Sequence, residues 1–180
     1  MRLFLGIPLT VSAERGLSAV VARLRSRDDG MRWMEPASWH VTLQFLGEVT
    51  PDRCACVAEQ VRTVRAPAVE LEFDRLDCFD RTGVIFAGVR RNENLVHLQE
   101  AVTRATGRCG FRTEERDFRP HVTLARRRGK GTLPLGLQQR LHGALRIPAF
   151  WARECILYES FPGKDGSRYE ERERFVLVVG

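Results

Sequence analysis

The tetrapeptide His-Val-Thr-Leu occurs twice in this chain, at residues 40–43 and again at residues 121–124. Successive side chains of a β-strand point to opposite faces, so the histidine and the threonine of each copy share one face. The valine and the leucine then form an apolar face behind them. Two such strands facing each other would bring together His40, Thr42, His121 and Thr123. The repeat therefore predicts a symmetric acid–base site.

Two imidazoles and two hydroxyls suit the cleavage of a phosphoester by water. An unperturbed histidine has a pKa of about 6.5, so one ring can be neutral while the other is protonated near neutral pH. One imidazole takes a proton from the nucleophile and the other gives a proton to the leaving oxygen. The threonine hydroxyls can donate to the non-bridging oxygens as charge develops on them. His97 and His142 lie on predicted helices without such neighbours, and we expect both at the surface.

The basic composition favours an anionic partner. The chain of 180 residues has 29 basic and 23 acidic residues, a net charge of +6. Only two of the basic residues are lysines, and the planar guanidinium of arginine suits phosphate well. With 43% hydrophobic residues, the chain is long enough to bury a substantial core, so a disordered protein is excluded.

Cysteine usage and the N-terminal sequence predict a location. The five cysteines form no CxxC pair and leave one over, which favours a reducing compartment. The apolar run at residues 1–8 is too short for a signal peptide or a membrane span. We therefore expect a cytoplasmic protein with no membrane partner, and we expect it to be monomeric.

Apolar periodicity and turn signals divide the chain into helices and strands that recur in a similar order. Helical periodicity follows the candidate caps Thr10 or Ser12, Thr50, and Asn92 or Asn94. Strands are predicted at residues 2–8, 32–34, 39–46, 69–79, 84–89, 120–126, 149–161 and 169–179. A surface loop is predicted over residues 126–136 and a short helix over residues 137–145.

This order predicts the α+β fold class, with sheets that are largely antiparallel, because strands and helices do not alternate strictly. The weak internal duplication predicts two similar lobes with flanking helices, each contributing one motif to a shared cleft. No linker divides residues 1–180, so we expect a single domain made of two intertwined lobes.

The motifs and their flanks resemble a known family. Trp39-His40-Val-Thr-Leu-Gln-Phe-Leu-Gly and Phe-Arg-Pro-His121-Val-Thr-Leu-Ala-Arg126 resemble the paired motifs of the 2H phosphoesterases. Within these the chain is similar to the RNA 2',3'-cyclic phosphodiesterases, also named 2'-5' RNA ligases (LigT or ThpR type). The same likeness extends to the opening residues 1–7, to Arg32-Trp33, and to the late residues 157–160 followed by Gly166 and Tyr169.

The resemblance implies a pseudo-twofold axis and a basic active-site cleft between the lobes. It implies that the enzyme opens a 2',3'-cyclic phosphate at an RNA end and leaves a 2'-phosphomonoester. His40 would be the general acid for the 3'-oxygen, and His121 the general base for water. Thr42 and Thr123 would hold the phosphate oxygens. Ligation is the same chemistry in reverse, and hydrolysis should dominate in water.

Five further residues are candidates for substrate binding. Arg126 matches the family's arginine after the second motif, but strict alternation places it on the Val122 face, so it reaches the cleft only if the strand ends or bulges near residue 125. Phe45 could stack on a base, although the same parity favours core packing for it. Arg119, Arg128 and Lys130, together with Arg127, are candidates for a diffuse attraction of RNA phosphates.

Other functions remain compatible with the motifs. The same machinery could act on 2'-5'-linked oligonucleotides or on small cyclic nucleotide phosphates, and the chain could instead be an RNA-end binding module without turnover. We expect no metal and no cofactor, because the motifs lie beside no cluster of acidic residues with metal-ligand spacing. A His/Cys transition-metal site is the weakest alternative. Whether ATP or another nucleotide binds in the cleft stays open.

Overall fold

The computed structural model describes residues 1–27, 29–112, 117–129, 131–141, 144–163 and 166–178. Its helices are α1 (Val11–Leu24), α2 (Pro51–Arg62), α3 (Glu93–Gly107) and α4 (Leu135–Gln138), with a 3-10 turn at Pro36–Ser38. Its strands are β1 (Arg2–Pro8), β2 (Met31–Trp33), β3 (His40–Glu48), β4 (Val69–Leu71), β5 (Phe73–Phe79), β6 (Val84–Val89), β7 (His121–Arg127), β8 (Phe150–Ala152), β9 (Glu154–Gly163) and β10 (Gly166–Val176).

The three long helices begin at predicted caps. The side chains of Thr10, Thr50 and Asn92 each accept a hydrogen bond from a backbone N–H in the first turn of the helix that follows. The Asn92 amide also donates to the carbonyl of Glu70 at 2.8 Å. This second bond ties the start of α3 to β4.

Three predicted elements are divided or displaced in the structure. The strand expected over residues 69–79 is two strands, because β4 leaves the main sheet and pairs with β8 in a separate two-stranded sheet. The strand expected over residues 149–161 is likewise divided into β8 and β9. The helix expected over residues 137–145 was wrong. Among the described residues of this segment the helix is α4, Leu135–Gln138, and Leu137 and Leu141 are buried.

The main sheet consists of two halves joined at one seam. Its strand order is β10-β9-β1-β3-β7-β6-β5, with β2 also paired to β7, and every pairing is antiparallel. The halves meet where β3 pairs with β7, at the residue pair Val41 and Val122. Because β2 comes from the N-terminal part of the chain but lies beside β7, the two halves are interwoven. The α+β fold class is confirmed.

The core lies behind this seam. The valine and leucine of both motif copies, at positions 41, 43, 122 and 124, are at most 3% exposed and belong to one buried cluster. The apolar stripes of α1, α2 and α3 join that cluster, and α3 packs against β3. The single domain expected for residues 1–180 stays a prediction.

Two of the five cysteines are bonded to each other, although cysteine usage in the sequence favoured a reducing compartment. Cys56 in the middle of α2 and Cys109 just after α3 form a disulfide that joins two helices packed against each other. A sequence separation of 53 residues left no local signal for this pair. The cysteine pattern therefore no longer supports a reducing compartment.

The helices are short. In the part of the chain that the structure describes, none combines the length and the apolar character that a bilayer crossing requires.

A buried hydrogen bond connects the first motif strand to α3. Thr106 is fully buried, and its hydroxyl donates to the side-chain oxygen of Gln44 at 2.7 Å. Gln44 is 8% exposed, so solvent cannot replace the bond if it is lost.

We therefore expect Thr106→Val to destabilise the protein by about 1–3 kcal/mol, because the Gln44 oxygen would be left buried without a donor. Urea unfolding measures the change. The double variant Gln44→Leu/Thr106→Val should recover part of the loss, since both polar partners are then gone. A single variant as stable as the unchanged protein would contradict the importance of this bond.

Candidate active site

The pairing of the two motif strands places their polar faces side by side. Val41 and Val122 are partners in an antiparallel ladder, and each lies between the histidine and the threonine of its own motif. Continuing this register by one residue sets the histidine of each copy opposite the threonine of the other. A twofold axis through the valine pair relates the two motifs. The predicted symmetric arrangement is thus present, with the motifs on neighbouring strands of one sheet.

A single cavity of about 340 Å³ contains this arrangement. Its lining includes all four motif side chains, His40, Thr42, His121 and Thr123. All four are half-buried, so each is accessible from the cavity and partly shielded from bulk water.

Both imidazoles are oriented by the same type of hydrogen bond. The Nδ1 of His40 lies 2.8 Å from the carbonyl of Ser38, and the Nδ1 of His121 lies 2.7 Å from the carbonyl of Arg119. A carbonyl only accepts, so each Nδ1 carries the proton and donates it. Each Nε2 is therefore the acceptor in the neutral ring and the donor in the charged ring.

The environment favours neutral imidazoles in the free protein. Burial lowers the pKa of His40 to about 4; the Ser38 carbonyl opposes this shift, while the charges of His121 and Arg126 add to it. Burial also lowers the pKa of His121, opposed by the Arg119 carbonyl and reinforced by Arg126. A bound anion would act in the opposite direction on both groups.

Aromatic rings enclose each imidazole. Phe4 on β1 lies 4.5 Å from the His40 ring centroid, and Tyr169 on β10 meets that ring edge-on at 5.1 Å. Phe79 and Phe86 lie 5.2 and 5.1 Å from the His121 ring. These contacts restrict both rings and exclude water from their flanks, which explains the lowered pKa values.

Each motif strand contains an irregularity at the same position. In the pairing of β3 with β1, Leu43 has no partner, and in the pairing of β7 with β6, Leu124 has none. An extra residue of this kind shifts the alternation by one position. Phe45 and Arg126, two residues further on, therefore join the histidine face, and both line the cavity.

The two bulges decide the predictions for Phe45 and Arg126. Core packing of Phe45 was wrong, because its side chain is 64% exposed at the cavity rim. Arg126 reaches the cleft because the strand bulges at Leu124, one residue before the expected position. By the pseudo-twofold axis, these two side chains lie at opposite ends of the cavity.

Arg119, Arg127 and Arg128 are not part of the described lining of this cavity. Arg119 is exposed and contributes its carbonyl to His121 rather than its guanidinium to the cleft. Arg127 donates to the carbonyl of Thr132 within the following loop. The Nε of Arg128, two residues after Arg126, donates to the carbonyl of Met31. Lys130, like His142, lies outside the described residues.

Two functional candidates were missed by the sequence analysis, although both lie in segments that carried the family resemblance. Arg32 on β2 is the cross-strand partner of Arg126, and Tyr169 meets the His40 ring and lines the same cavity as Arg126. Partial burial lowers the pKa of Arg126, which Tyr169 raises and Arg32 lowers further. In the sequence, Arg32 is a basic residue directly before a tryptophan on a short predicted strand. That strand is too short to show an alternation that would indicate which side chains face the cleft.

The described residues contain no group of three or more histidine, cysteine or acidic side chains that could hold a metal ion.

Comparisons with known proteins identify similar sequences and similar folds. Residues 13–154 match the 2'-5' RNA ligase superfamily. The chain is 29% identical over 169 residues to the RNA 2',3'-cyclic phosphodiesterase of Archaeoglobus fulgidus, covering 90% of this chain and 95% of that one. It is 30% identical over 131 residues to the protein of the same name from Thermotoga maritima, covering 70% of each chain. The apo crystal structure of LigT from Escherichia coli has the same fold, with a TM-score of 0.84, 23% identity, and coverage of 99% and 98% of the two chains.

The pKa values of the site can be tested directly. We expect Arg126→Gln to raise the pKa of both His40 and His121, because the guanidinium charge opposes protonation of each ring. Titration of the ring resonances by NMR measures both values, and the nitrogen shifts report the Nδ1–H tautomer. Unchanged pKa values in the variant would contradict the placement of Arg126 beside both imidazoles.

Proposed function

The chain belongs to the 2'-5' RNA ligase superfamily, and from this premise we propose that it is an RNA 2',3'-cyclic phosphodiesterase. It would open the cyclic phosphate at an RNA end to a 2'-phosphomonoester. The curated relatives at about 30% identity are named for this activity. The observation that carries the proposal is the pairing of Val41 with Val122, which gives one cavity two imidazoles and two hydroxyls in symmetric positions.

The proposed reaction uses one imidazole as a base and the other as an acid. His121 takes a proton from water through Nε2 while the water oxygen forms a bond to phosphorus. The bond between phosphorus and the 3'-oxygen breaks, and His40 gives its Nε2 proton to that oxygen. The products are a 2'-phosphomonoester and a 3'-hydroxyl. The hydrogen bonds to the Ser38 and Arg119 carbonyls keep both rings oriented throughout.

The hydroxyls and Arg126 would stabilise the phosphoryl oxygens. Each threonine lies opposite the histidine of the other motif, so Thr42 and Thr123 approach the same phosphate from two sides. Donors fixed before the reaction stabilise the charge that develops on those oxygens. The Arg126 guanidinium adds a positive charge from one end of the cavity.

The charge of the substrate would favour the protonated form of His40, which the proposed reaction requires. In the free site the pKa of His40 is lowered to about 4, mainly by burial, so the ring is neutral near pH 7. A cyclic phosphodiester carries one negative charge, and an adjacent anion favours a protonated imidazole. Binding of the substrate would therefore raise the pKa of the ring that must donate.

Phe45 would receive the base of the terminal nucleotide. Its ring is exposed at the rim of the cavity and packs on one side against Phe4, at a centroid distance of 5.8 Å. A base can stack on an aromatic ring whatever its identity. The LigT structures solved with 3'-AMP, ATP and NADP+ support a cleft that accepts nucleotides.

Ligation would use the same groups in exchanged roles, with a ribose hydroxyl in place of water. The name of the superfamily supports this side activity. A binding module without turnover would retain the fold but would have no need for a matched proton donor and acceptor.

Loss of either imidazole should remove the activity. We expect His40→Ala and His121→Ala each to lower kcat for an oligonucleotide with a 2',3'-cyclic phosphate end by about 100-fold or more, with little change in Tm. The double variant should be scarcely worse than either single one, because the two groups act together. Phosphorus NMR identifies the product and the hydroxyl that keeps the phosphate.

His97→Ala is the matched control, since His97 is exposed on α3, and it should keep full activity. Addition of EDTA should leave the rate unchanged. Normal turnover by either site variant would contradict the role assigned to that histidine, and binding without any turnover by the unchanged protein would favour the binding module.

The pH dependence of kcat/KM follows from the lowered pKa values. This parameter reports the free enzyme, whose active form has one imidazole neutral and the other protonated. That form is most populated midway between the two pKa values, and both lie below the usual 6.5. We therefore expect the optimum of kcat/KM below pH 6.5, with a fall as the pH rises further. Arg126→Gln should move the optimum to higher pH. An optimum above pH 7 in the unchanged enzyme would contradict neutral imidazoles in the free site.

A further inference from the structure

A second concave surface adjoins the catalytic cavity. We call it the arginine groove. It is a depression of about 720 Å³ lined by Arg25 and Arg27 after α1, Arg32 and Trp33 on β2, and Arg128 after β7. None of these residues belongs to the two motifs. The groove therefore needs an explanation of its own.

The groove and the cavity share a wall. Arg32 lines both of them, and its Cα is paired with that of Arg126 across β2 and β7. A line of guanidinium groups thus runs from Arg126 in the cavity, through Arg32, into the groove. The Nε of Arg32 is buried and has no hydrogen-bond partner among the described atoms. A ligand that passes between the two sites could supply the missing acceptor.

The charge of the groove favours an anion. Its described lining contains four arginines against Asp29 and Glu35. The Asp29 carboxylate accepts from the backbone N–H groups of Ser26 and Met31 and from the Trp33 indole, at 2.8–3.1 Å. It is thus a structural part of the loop. Among the residues that the structure describes, none of the four arginines has a carboxylate within salt-bridge distance.

The groove also offers an aromatic surface. The indole N–H of Trp33 is held by Asp29 at 2.8 Å, which orients the half-buried ring in the groove wall. Guanidinium groups that track a backbone, together with an aromatic ring on which bases stack, are the features of a site for single-stranded nucleic acid. A compact anion such as free phosphate would use only a small part of this surface.

The pseudo-twofold axis gives the bound strand a direction. Phe45 and Arg126 occupy equivalent positions of the two motifs, so they lie at opposite ends of the catalytic cavity. The groove extends from the Arg126 end. A terminal base on Phe45 and a cyclic phosphate between the imidazoles leave the preceding phosphates on the Arg126 side.

We propose that the arginine groove binds the phosphodiester backbone of the nucleotides that precede the cyclic phosphate, so that the enzyme selects RNA ends over mononucleotides. This inference rests on the proposed function. It adds an extended binding site, and it assigns a polarity in which the strand runs from the groove through Arg32 and Arg126 to Phe45.

The test compares substrates of two lengths with one terminal nucleotide. kcat/KM is measured for a nucleoside 2',3'-cyclic monophosphate and for an octanucleotide that ends in the same cyclic phosphate. We expect the unchanged enzyme to prefer the octanucleotide by tenfold or more. Arg25→Gln/Arg27→Gln should lower kcat/KM for the octanucleotide about tenfold relative to the mononucleotide. The control pair Arg91→Gln/Arg104→Gln removes the same charge from exposed arginines outside both sites and should leave the ratio as it was.

Binding provides a readout that does not depend on turnover. Fluorescence anisotropy with a labelled octanucleotide that ends in a 2'-phosphate measures Kd over a range of salt concentrations. For single-stranded nucleic acid, each phosphate contact contributes about −0.7 to the slope of log K against log salt. The groove variant lacks two arginines, so its slope should be shallower by about 1.4. A thermal melt confirms that it is folded.

Equal preference for both substrates in the unchanged enzyme, or an equal loss on both in the groove variant, would overturn the proposal. Failure of the proposed function is distinct, since neither cyclic phosphate would then be opened. In that case the anisotropy comparison still decides whether the groove binds RNA: a groove variant with the affinity and slope of the control pair would refute it.

Discussion

The antiparallel contact between β3 and β7 is the constraint on which the site depends. It is confined to one residue pair, Val41 and Val122, yet it sets the distance and the orientation between motifs that lie far apart in the sequence. Because the valine side chains face the core, the histidines and threonines must face the cavity. The same burial that holds the half-sheets together therefore orients the groups proposed to be catalytic. A shift of the register by one residue would turn one motif toward the core.

Matched irregularities then give the site its asymmetry. The unpaired residues Leu43 and Leu124 occupy equivalent positions of the two motifs, so the backbones of β3 and β7 bulge at the same point. The side chains that follow each bulge differ. One lobe presents the aromatic ring of Phe45 and the other the guanidinium of Arg126. A symmetric pair of imidazoles can act on a phosphate from either side. In the proposed function, the two end residues would distinguish the nucleoside end of the substrate from its phosphate side.

Much of this could be predicted from sequence because it is local. Alternation placed the motif side chains, and the caps at Thr10, Thr50 and Asn92 were recognisable from the residues themselves. The failures share one cause, which is contact between distant segments. The bulge that exposes Phe45 depends on pairing with β1, and β4 is separated from β5 by its pairing with β8. The Cys56–Cys109 disulfide depends on the packing of α2 against α3. Arg32 reaches the cleft only because β2 crosses to the second half-sheet.

The electrostatics of the cleft follow from what surrounds the imidazoles. Phe4 and Phe86 withdraw the rings from water, and Arg126 adds a positive charge, so the empty site opposes protonation of either histidine. The proposed reaction requires one imidazolium, and forming that charge is unfavourable in this site until an anion binds. The negative charge of the substrate then compensates both Arg126 and the new imidazolium. Arg126 is paired with Arg32, so the groups proposed to attract the strand adjoin those proposed to adjust the acid. Binding and activation would thus be coupled through the same charges.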